Sequence, residues 1–267
     1  MDNSYTHDQI LAGLETASRA AGVLVLDAFK SRSFSVRTKD DRTVVTDIDF
    51  KAQRLIQDLL ATRFPGIECM GEEGERSRVS GSERLFVVDP IDGTANFALG
   101  IPFFAVSLAF LENGSPVIAA LHDPIHDNIF LAVKGKGGFR NGVPLSPPRY
   151  RGLRSASINV NLSKVPDTVR TSLLRRLDPG SSTVRNLGSS SLEMAYTATG
   201  LFDCVIKYGL SIWDVAAAGL VLEEAGGKWT TSQGIKPSPI DTTFGAYAAG
   251  TATLHSELLD LLGPLPR

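Results

Sequence analysis

Apolar residues recur with a helical period along the first sixty or so positions. Ile10, Leu14, Ala17, Ala21, Leu24 and Ala28 follow at alternating steps of four and three, one stripe of a helix. Thr6 precedes the stripe and Gln9 stands three residues on, the spacing of a capping box, so the helix opens at Thr6. A second stripe, Ile48, Ala52, Leu55 and Leu59, predicts a helix that starts at Thr46 or Asp47 and is stopped by Pro65-Gly66. The charged segment Arg37 to Arg42 joins the two as an antiparallel pair.

The period then changes. Ile67 to Met70 is a short, mostly apolar stretch, and Leu85 to Val88 is a short continuous apolar run ending in Asp89, as buried strands do. Phe103 to Leu111 and Val117 to Leu121 flank Asn113-Gly114, a hairpin signal. Ile129 to Val133 pairs next, and the glycines between Lys134 and Gly142 mark further hairpin connections. Pro144 to Pro148 reads as a linker. It divides the chain near Tyr150 into an N-terminal α+β part, residues 1–150, and a C-terminal α/β part, residues 151–267. In the second part, strands are expected at Ala156–Val160, near Val184, at Cys204–Lys207 and at Phe244–Ala249. They alternate with helices at Val165–Leu177, Ser190–Thr199, Trp213–Ala225 and Thr253–Leu262, which makes a layered α/β architecture.

Composition narrows the field. A chain with 43% hydrophobic and 21% charged residues is neither disordered, collagen-like nor a coiled coil. A formal net charge of −2 argues against a bulk nucleic-acid binder. Cys69 and Cys204 lack the CxxC spacing of a redox or zinc site and are expected as free thiols. The polar, acidic N-terminus is no signal peptide, and the longest apolar run, Ile101 to Leu111, is about half the ~20 residues of a membrane span. The expectation is a soluble cytoplasmic chain. His7, His122, His126 and His255 show no paired metal spacing, and His122 and His126 are expected to be structural.

Acidic residues gather where strands end and helices begin. Asp89-Pro90-Ile91-Asp92-Gly93-Thr94 runs a buried strand into two carboxylates three positions apart. Pro90 fixes φ, Gly93 permits a sharp turn, and Thr94 is placed to cap a following helix. Backbone N–H groups after such a turn suit a phosphate. Gly71-Glu72-Glu73-Gly74 ends another short strand, Asp214 opens an apolar helix, and Asp47 and Asp49 open a third. Each segment alone also reads as a capped or solvated turn. If they converge, Glu72, Asp89, Asp92, Asp214 and Asp49 repel one another. Two like charges at ~4 Å cost about 4 kcal/mol at an effective dielectric near 20. Five cannot stay ionised together without cations or large pKa shifts. Oxygen-only ligands select a hard ion, magnesium rather than zinc.

In these residues the chain resembles the inositol monophosphatase family of magnesium-dependent, lithium-sensitive phosphatases. The family's apolar run followed by DPxDGT and Asn-Phe stands at Leu85 to Phe97, and its GEE at Gly71 to Glu73. Its WDxAAxxxxxxEAGG stands at Trp213 to Gly227. Its KxDxxxVTxxD matches Lys39, Asp41, Val45, Thr46 and Asp49. Lys134-Gly135-Lys136-Gly137 with Asn141-Gly142, and Gly188-Ser189-Ser190, fit less specifically. The resemblance implies an αβαβα five-layer sandwich, commonly a homodimer, with both parts forming one catalytic unit and no membrane or nucleic-acid partner. It implies two or three magnesium ions. Glu72, Asp89 and the Ile91 carbonyl would hold the first, and Asp89, Asp92 and Asp214 the second. A third, weaker ion would sit near Glu72.

By the same resemblance, Thr94 and Asp49 would orient and deprotonate the attacking water. The Gly93 and Thr94 amides would hold phosphate, with Asp92, Ser190 and Asp214 also on the substrate side. The implied reaction is hydrolysis of a small phosphate monoester, inositol 1-phosphate or a related polyol phosphate. Family alternatives are fructose 1,6-bisphosphate, 3′-phosphoadenosine 5′-phosphate, histidinol phosphate, or a regulatory partner role with incidental activity. Lys207 departs from the pattern, because inositol-specific members carry an acidic residue there. It is expected to face the leaving-group side, sharing a strand face with Val205, and to favour a second anionic group.

Overall fold

The computed structural model describes residues 5–39, 43–74, 82–146, 148–162, 165–177, 183–237 and 243–264. Asp41 of the family motif lies outside them, as do Asp40 and Arg42.

Helix α1 (His7–Ser31) starts as the capping box requires. Gln9 N donates to Thr6 Oγ1 at 3.2 Å and Thr6 N to Gln9 Oε1 at 2.9 Å. The segment expected to be a plain charged connection contains a hairpin, β1 (Val36–Thr38) paired antiparallel with β2 (Val44–Thr46). Three-residue strands are too short to show alternation, so the pattern could not reveal them. Helix α2 (Asp47–Arg63) follows, but its buried face is Ile48, Asp49, Ala52, Gln53, Ile56 and Leu60. Leu55 and Leu59 are only partly covered. The true stripe is rotated by one residue, because the helix turns two polar groups, Asp49 and Gln53, inward.

A seven-stranded sheet comes next, with strand order equal to chain order: β3 (Glu68–Gly71), β4 (Arg84–Asp92), β5 (Ala105–Glu112), β6 (Ser115–Asp123), β7 (Asn128–Val133), β8 (Gly137–Arg140) and β9 (Val143–Pro144). Only β3 and β4 are parallel. The hairpin at Asn113-Gly114 has φ of 48° and 76°, the double left-handed turn that Asn-Gly favours. A short helix α3 (Thr94–Leu99) separates β4 from β5. The second half gives β10 (Ser157–Asn161), α4 (Asp167–Leu177), β11 (Thr183–Arg185), α5 (Ser190–Ala198), β12 (Cys204–Leu210), α6 (Ile212–Glu224), β13 (Lys228–Thr231), β14 (Phe244–Ala249) and α7 (Ala252–Leu262). Its five strands form a second sheet in the order β11-β10-β12-β14-β13.

Three apolar cores fill the four interfaces between five layers, the middle one serving two of them. Ile10, Leu14 and Ala21 of α1 and Ile56 and Leu60 of α2 pack on Phe86, Val88, Leu108 and Phe110 of the first sheet. The opposite face of that sheet, through Leu85, Val87, Ala109 and Leu121, packs on α5 and α6. Those helices also cover Val205, Leu210 and Ala248 of the second sheet. On its far face, Ile158, Ile206 and Tyr247 meet Leu173 and Leu177 of α4 and Leu254 and Leu258 of α7. This is the αβαβα sandwich. Helix α6 is apolar all round because it lies between two sheets. Cys69 and Cys204 are both free thiols. No helix among the described residues is long and apolar enough to cross a membrane.

Candidate active site

Alternation along β4 turns Asp89 toward α6, on the face it shares with Leu85 and Val87. The strand does not end there as expected. It continues to Asp92, with a break in register against β5 between Asp89, opposite Ser107, and Asp92, opposite Ala105. Pro90 has no N–H for the ladder, and the irregularity lets both acids reach the same place. Gly93 then takes φ of 99° and is the residue preceding α3. A Cβ there would lie 3.1 Å from Phe103 O and 3.2 Å from Ser189 Cβ, so neither space nor backbone admits another side chain. Thr94 is therefore the first helical residue rather than the cap.

The acids converge. One carboxylate oxygen from each of Asp89, Asp92 and Asp214 lies within 4.8 Å of the others. Asp89 and Asp92 are 1% and 6% exposed. Asp214 and Asp49 each occupy the third position of a helical capping box. Ser211 N donates to Asp214 Oδ2 at 2.6 Å. Thr46 N donates to Asp49 Oδ2 at 2.8 Å, while the Thr94 hydroxyl donates to Asp49 Oδ1 at 2.9 Å. Thr94 Oγ1 is also 2.9 Å from the Ile91 carbonyl, so one proton has two acceptors. Thr94 and Asp49 stand 45 positions apart in the chain, and the fold brings them into direct contact. One oxygen of Asp49 caps its helix and the other accepts the Thr94 hydroxyl.

Asp92 is held by the start of α5. Its Oδ2 accepts from Ser191 N at 2.7 Å and from the hydroxyls of Ser191 at 2.6 Å and Ser189 at 2.5 Å. Its Oδ1 accepts from Ser190 N at 3.3 Å. Ser190 thus reaches the site through its backbone. Asp89 is treated differently. Ile91 N donates to its Oδ1 at 3.1 Å, and its buried Oδ2 meets no N–H or hydroxyl donor among the described residues. Burial, then the neighbouring charges of Glu72, Asp92 and Asp214, push the Asp89 carboxyl well above the usual range. Burial also pushes Glu72 up to about 7, with Glu73 and Asp49 adding repulsion and Lys39 opposing it. Asp49 is raised by burial, against the hydrogen bonds from Thr46 and Thr94.

Lys39 had no role assigned in the motif that contains it. Its Nζ lies 2.7 Å from Glu73 Oε1 and 3.5 Å from Glu72 Oε1, a cation placed against the acidic cluster. Burial works against this charge, but the two glutamates raise its pKa overall. Gln53 braces the same turn, donating to Glu73 O at 2.6 Å and accepting from Glu73 N at 2.9 Å. A polar residue on a buried helical face was the signal that could have found it.

Lys207 shares a face with Val205, as alternation requires, and that face turns toward α5. It is 2% exposed, and its Nζ lies 2.7 Å from Oε2 of Glu193, which is fully buried on α5. Sequence reasoning missed Glu193 because a lone acid in an apolar helical stretch has no partner visible nearby in the chain. His122 and His126 are structural: His122 packs against Gly22 and Ser18 of α1, and His126 Nδ1 lies 2.8 Å from Asp123 Oδ2.

The arrangement is short of cations. A buried carboxylate oxygen with no donor, beside further acids that repel it, is stabilised by a hard cation with oxygen ligands. Asp89, Asp92 and Asp214 fit that need, with the Glu72 charge acting on Asp89, and among the described residues no sulfur or imidazole joins the cluster.

Residues 6–263 match the family model described as the inositol monophosphatase family. The inositol-1-monophosphatase of Bacillus subtilis is 33% identical over 246 residues, covering 91% of this chain and 92% of that protein. A crystal structure of the extragenic suppressor protein suhB from Bartonella henselae is 30% identical, with a TM-score of 0.86 over 95% of this chain and 98% of that one. A structure titled as an IMPase/NADP phosphatase complexed with Mg2+ and phosphate is 26% identical, with a TM-score of 0.82 over 92% of this chain and 93% of that one. With this site on this fold, the chain belongs to the inositol monophosphatase family, a family of hydrolases acting on phosphate monoesters.

Proposed function

We propose that the protein hydrolyses the phosphate monoester of a small neutral polyol, inositol 1-phosphate or a close analogue, with magnesium as cofactor. The observation that carries this is the Asp89, Asp92 and Asp214 cluster, with its orphaned Asp89 oxygen, close to the Thr94–Asp49 contact. Glu72, Asp89 and the Ile91 carbonyl would hold one ion, and Asp89, Asp92 and Asp214 a second. Bound there, magnesium supplies Lewis-acid polarisation and offsets the charge of the phosphate.

The chain's own residues do the rest. Thr94 Oγ1 orients the attacking water and passes its proton to Asp49 Oδ1, 2.9 Å away. Asp49 keeps its position because its other oxygen is bound by the Thr46 amide and hydroxyl. The first amides of α3, from Gly93 and Thr94, carry no helical bond of their own and are suited to phosphate oxygens. Lys207 bears on the substrate. Glu193 balances its charge at 2.7 Å, which leaves no net cation there to recruit a second phosphate. That supports a monophosphate over a bisphosphate.

Phosphate release is measured from inositol 1-phosphate, fructose 1,6-bisphosphate and 3′-phosphoadenosine 5′-phosphate, with magnesium and after chelation. The expected result is chelation-sensitive release, most efficient from inositol 1-phosphate. Release unchanged by chelation would remove the metal reading. Preference for a doubly anionic substrate would remove the polyol one, and no release from any substrate would favour a regulatory role.

A further inference from the structure

Glu193 and Lys207 form an ion pair between α5 and β12 from which water is almost fully excluded. Such a pair contributes little stability over apolar residues of similar size, because desolvating both charges offsets their attraction. Its neighbours give it another use. Lys207 takes up Oε2 of Glu193, and Oε1 accepts the amides of Leu187 at 3.1 Å and Gly188 at 3.0 Å. On the other side, Asn96 Nδ2 donates to Leu187 O at 2.7 Å. Gly188 has φ of 83° and lies so close to Asn96 that a Cβ would be 3.0 Å from its amide group. The backbone at 187–188 is therefore clamped from two elements. The next three residues, Ser189 to Ser191, supply every hydrogen bond to Asp92 described above.

We infer that Glu193, anchored by Lys207, is a positioning residue for Asp92: by clamping the 187–188 backbone it fixes the serines that aim that carboxylate at the cation it helps bind. The inference rests on the magnesium reading above. Glu193 touches neither substrate nor metal in this scheme. It acts through two backbone amides, at the cost of desolvating a charge that Lys207 then balances.

The test separates the amide contact from the charge. Magnesium binding to the metal-stripped, full-length chain is measured by calorimetry, with terbium luminescence as an independent probe. Wild type is compared with Glu193→Gln/Lys207→Met and Glu193→Met/Lys207→Met. Both variants lose both charges and keep similar volume, but only the first keeps an oxygen for the Leu187 and Gly188 amides. A change beside a metal ligand typically alters affinity by about 10- to 100-fold. The glutamine variant should bind within about threefold of wild type, and the methionine variant about tenfold more weakly at the site that includes Asp92. Equal affinity in the two double variants overturns the inference. If wild type binds no magnesium, the metal reading falls and this inference with it. Should the methionine variant not fold, Glu193→Asp keeps the charge but draws the carboxylate back from the amides. Weaker magnesium binding at an unchanged metal-free melting temperature supports the positioning role, and unchanged affinity overturns it.

Discussion

On the α5 side of the site, Asp92 accepts four hydrogen bonds from three successive serines at a helix N-terminus. On the β3–β4 side, Asp89 is at least as deeply buried, yet one of its oxygens meets no N–H or hydroxyl donor among the described residues, and Glu72 adds a second charge nearby. The protein's own groups satisfy both oxygens of Asp92, whereas among the described residues Asp89 receives a single backbone donor, Ile91 N. Both are aspartates of one strand, three residues apart. What separates them is which neighbours the fold brings: the start of a helix for Asp92, and other acids for Asp89. A helix N-terminus stabilises an anion through its unpaired amides and its dipole, whereas like charges in a buried site raise the energy of the ionised form. Lys39, at 2.7 Å from Glu73, offsets the deficit on the unfinished side only in part.

Substituting the two aspartates separately gives the sharpest contrast. Asp89→Asn should lower turnover by about 10³-fold or more, about 4 kcal/mol of transition-state stabilisation, because in the proposed scheme it removes a carboxylate shared by two cation positions. It should also raise the metal-free melting temperature, since the orphaned charge is gone. Asp92→Asn should lower that temperature, because serine donors lose a charged acceptor worth about 1.5–3 kcal/mol. Turnover and calorimetric melting of both variants in chelator decide the matter, and melting shifts of the same sign would dissolve the contrast.

Thr94→Ala should lower kcat by about 10²-fold. Magnesium affinity should hold, because Asp49 remains fixed by Thr46. A parallel loss of magnesium binding would mean that Thr94 braces the cation site through the Ile91 carbonyl instead of steering a proton.

The smallest effect concerns pH. With Glu72 pushed up to about 7, a proton competes with the cation below that value. Magnesium affinity should fall by about tenfold for each pH unit below about 7. The metal-free protein should show the opposite trend. A carboxyl whose folded pKa lies above its unfolded value binds more protons when folded, so stability is lost as pH rises from the ordinary glutamate range through about 7. Melting temperatures across about pH 5 to about pH 8, with chelator and with magnesium, test both slopes. Parallel slopes with and without magnesium would show that Glu72 is not part of the cation site.

The local signals read from the chain were those that depend on neighbours within a few residues. The Thr6–Gln9 box starts α1, Asn113-Gly114 makes its turn, and β14 spans Phe244–Ala249 as expected, because capping, turn geometry and alternation act over short spans. The site's acids were legible for a related reason: each closes a strand or opens a helix, and together they match a family motif. The sequence by itself therefore determined the longer elements, the layered class and which acids carry the family motifs, while short strands such as β1, β2 and β13 lay below its reach.

The tertiary structure alone decided what each acid meets. Residue types told nothing of the difference between Asp92 and Asp89, because the serines and acids around them come from other segments. The inward rotation of α2 depends on where Gly71 and Glu73 dock against Gln53. The surroundings of Lys207 show this most plainly: its own strand brings no counter-charge, and α5 supplies the carboxylate that balances it. Hydrogen bonds and ion pairs act over a few ångströms of space, and here those ångströms join residues many positions apart in the chain. Where such a contact replaces water around a buried charge, it sets whether that charge is spent on the fold or left for the chemistry.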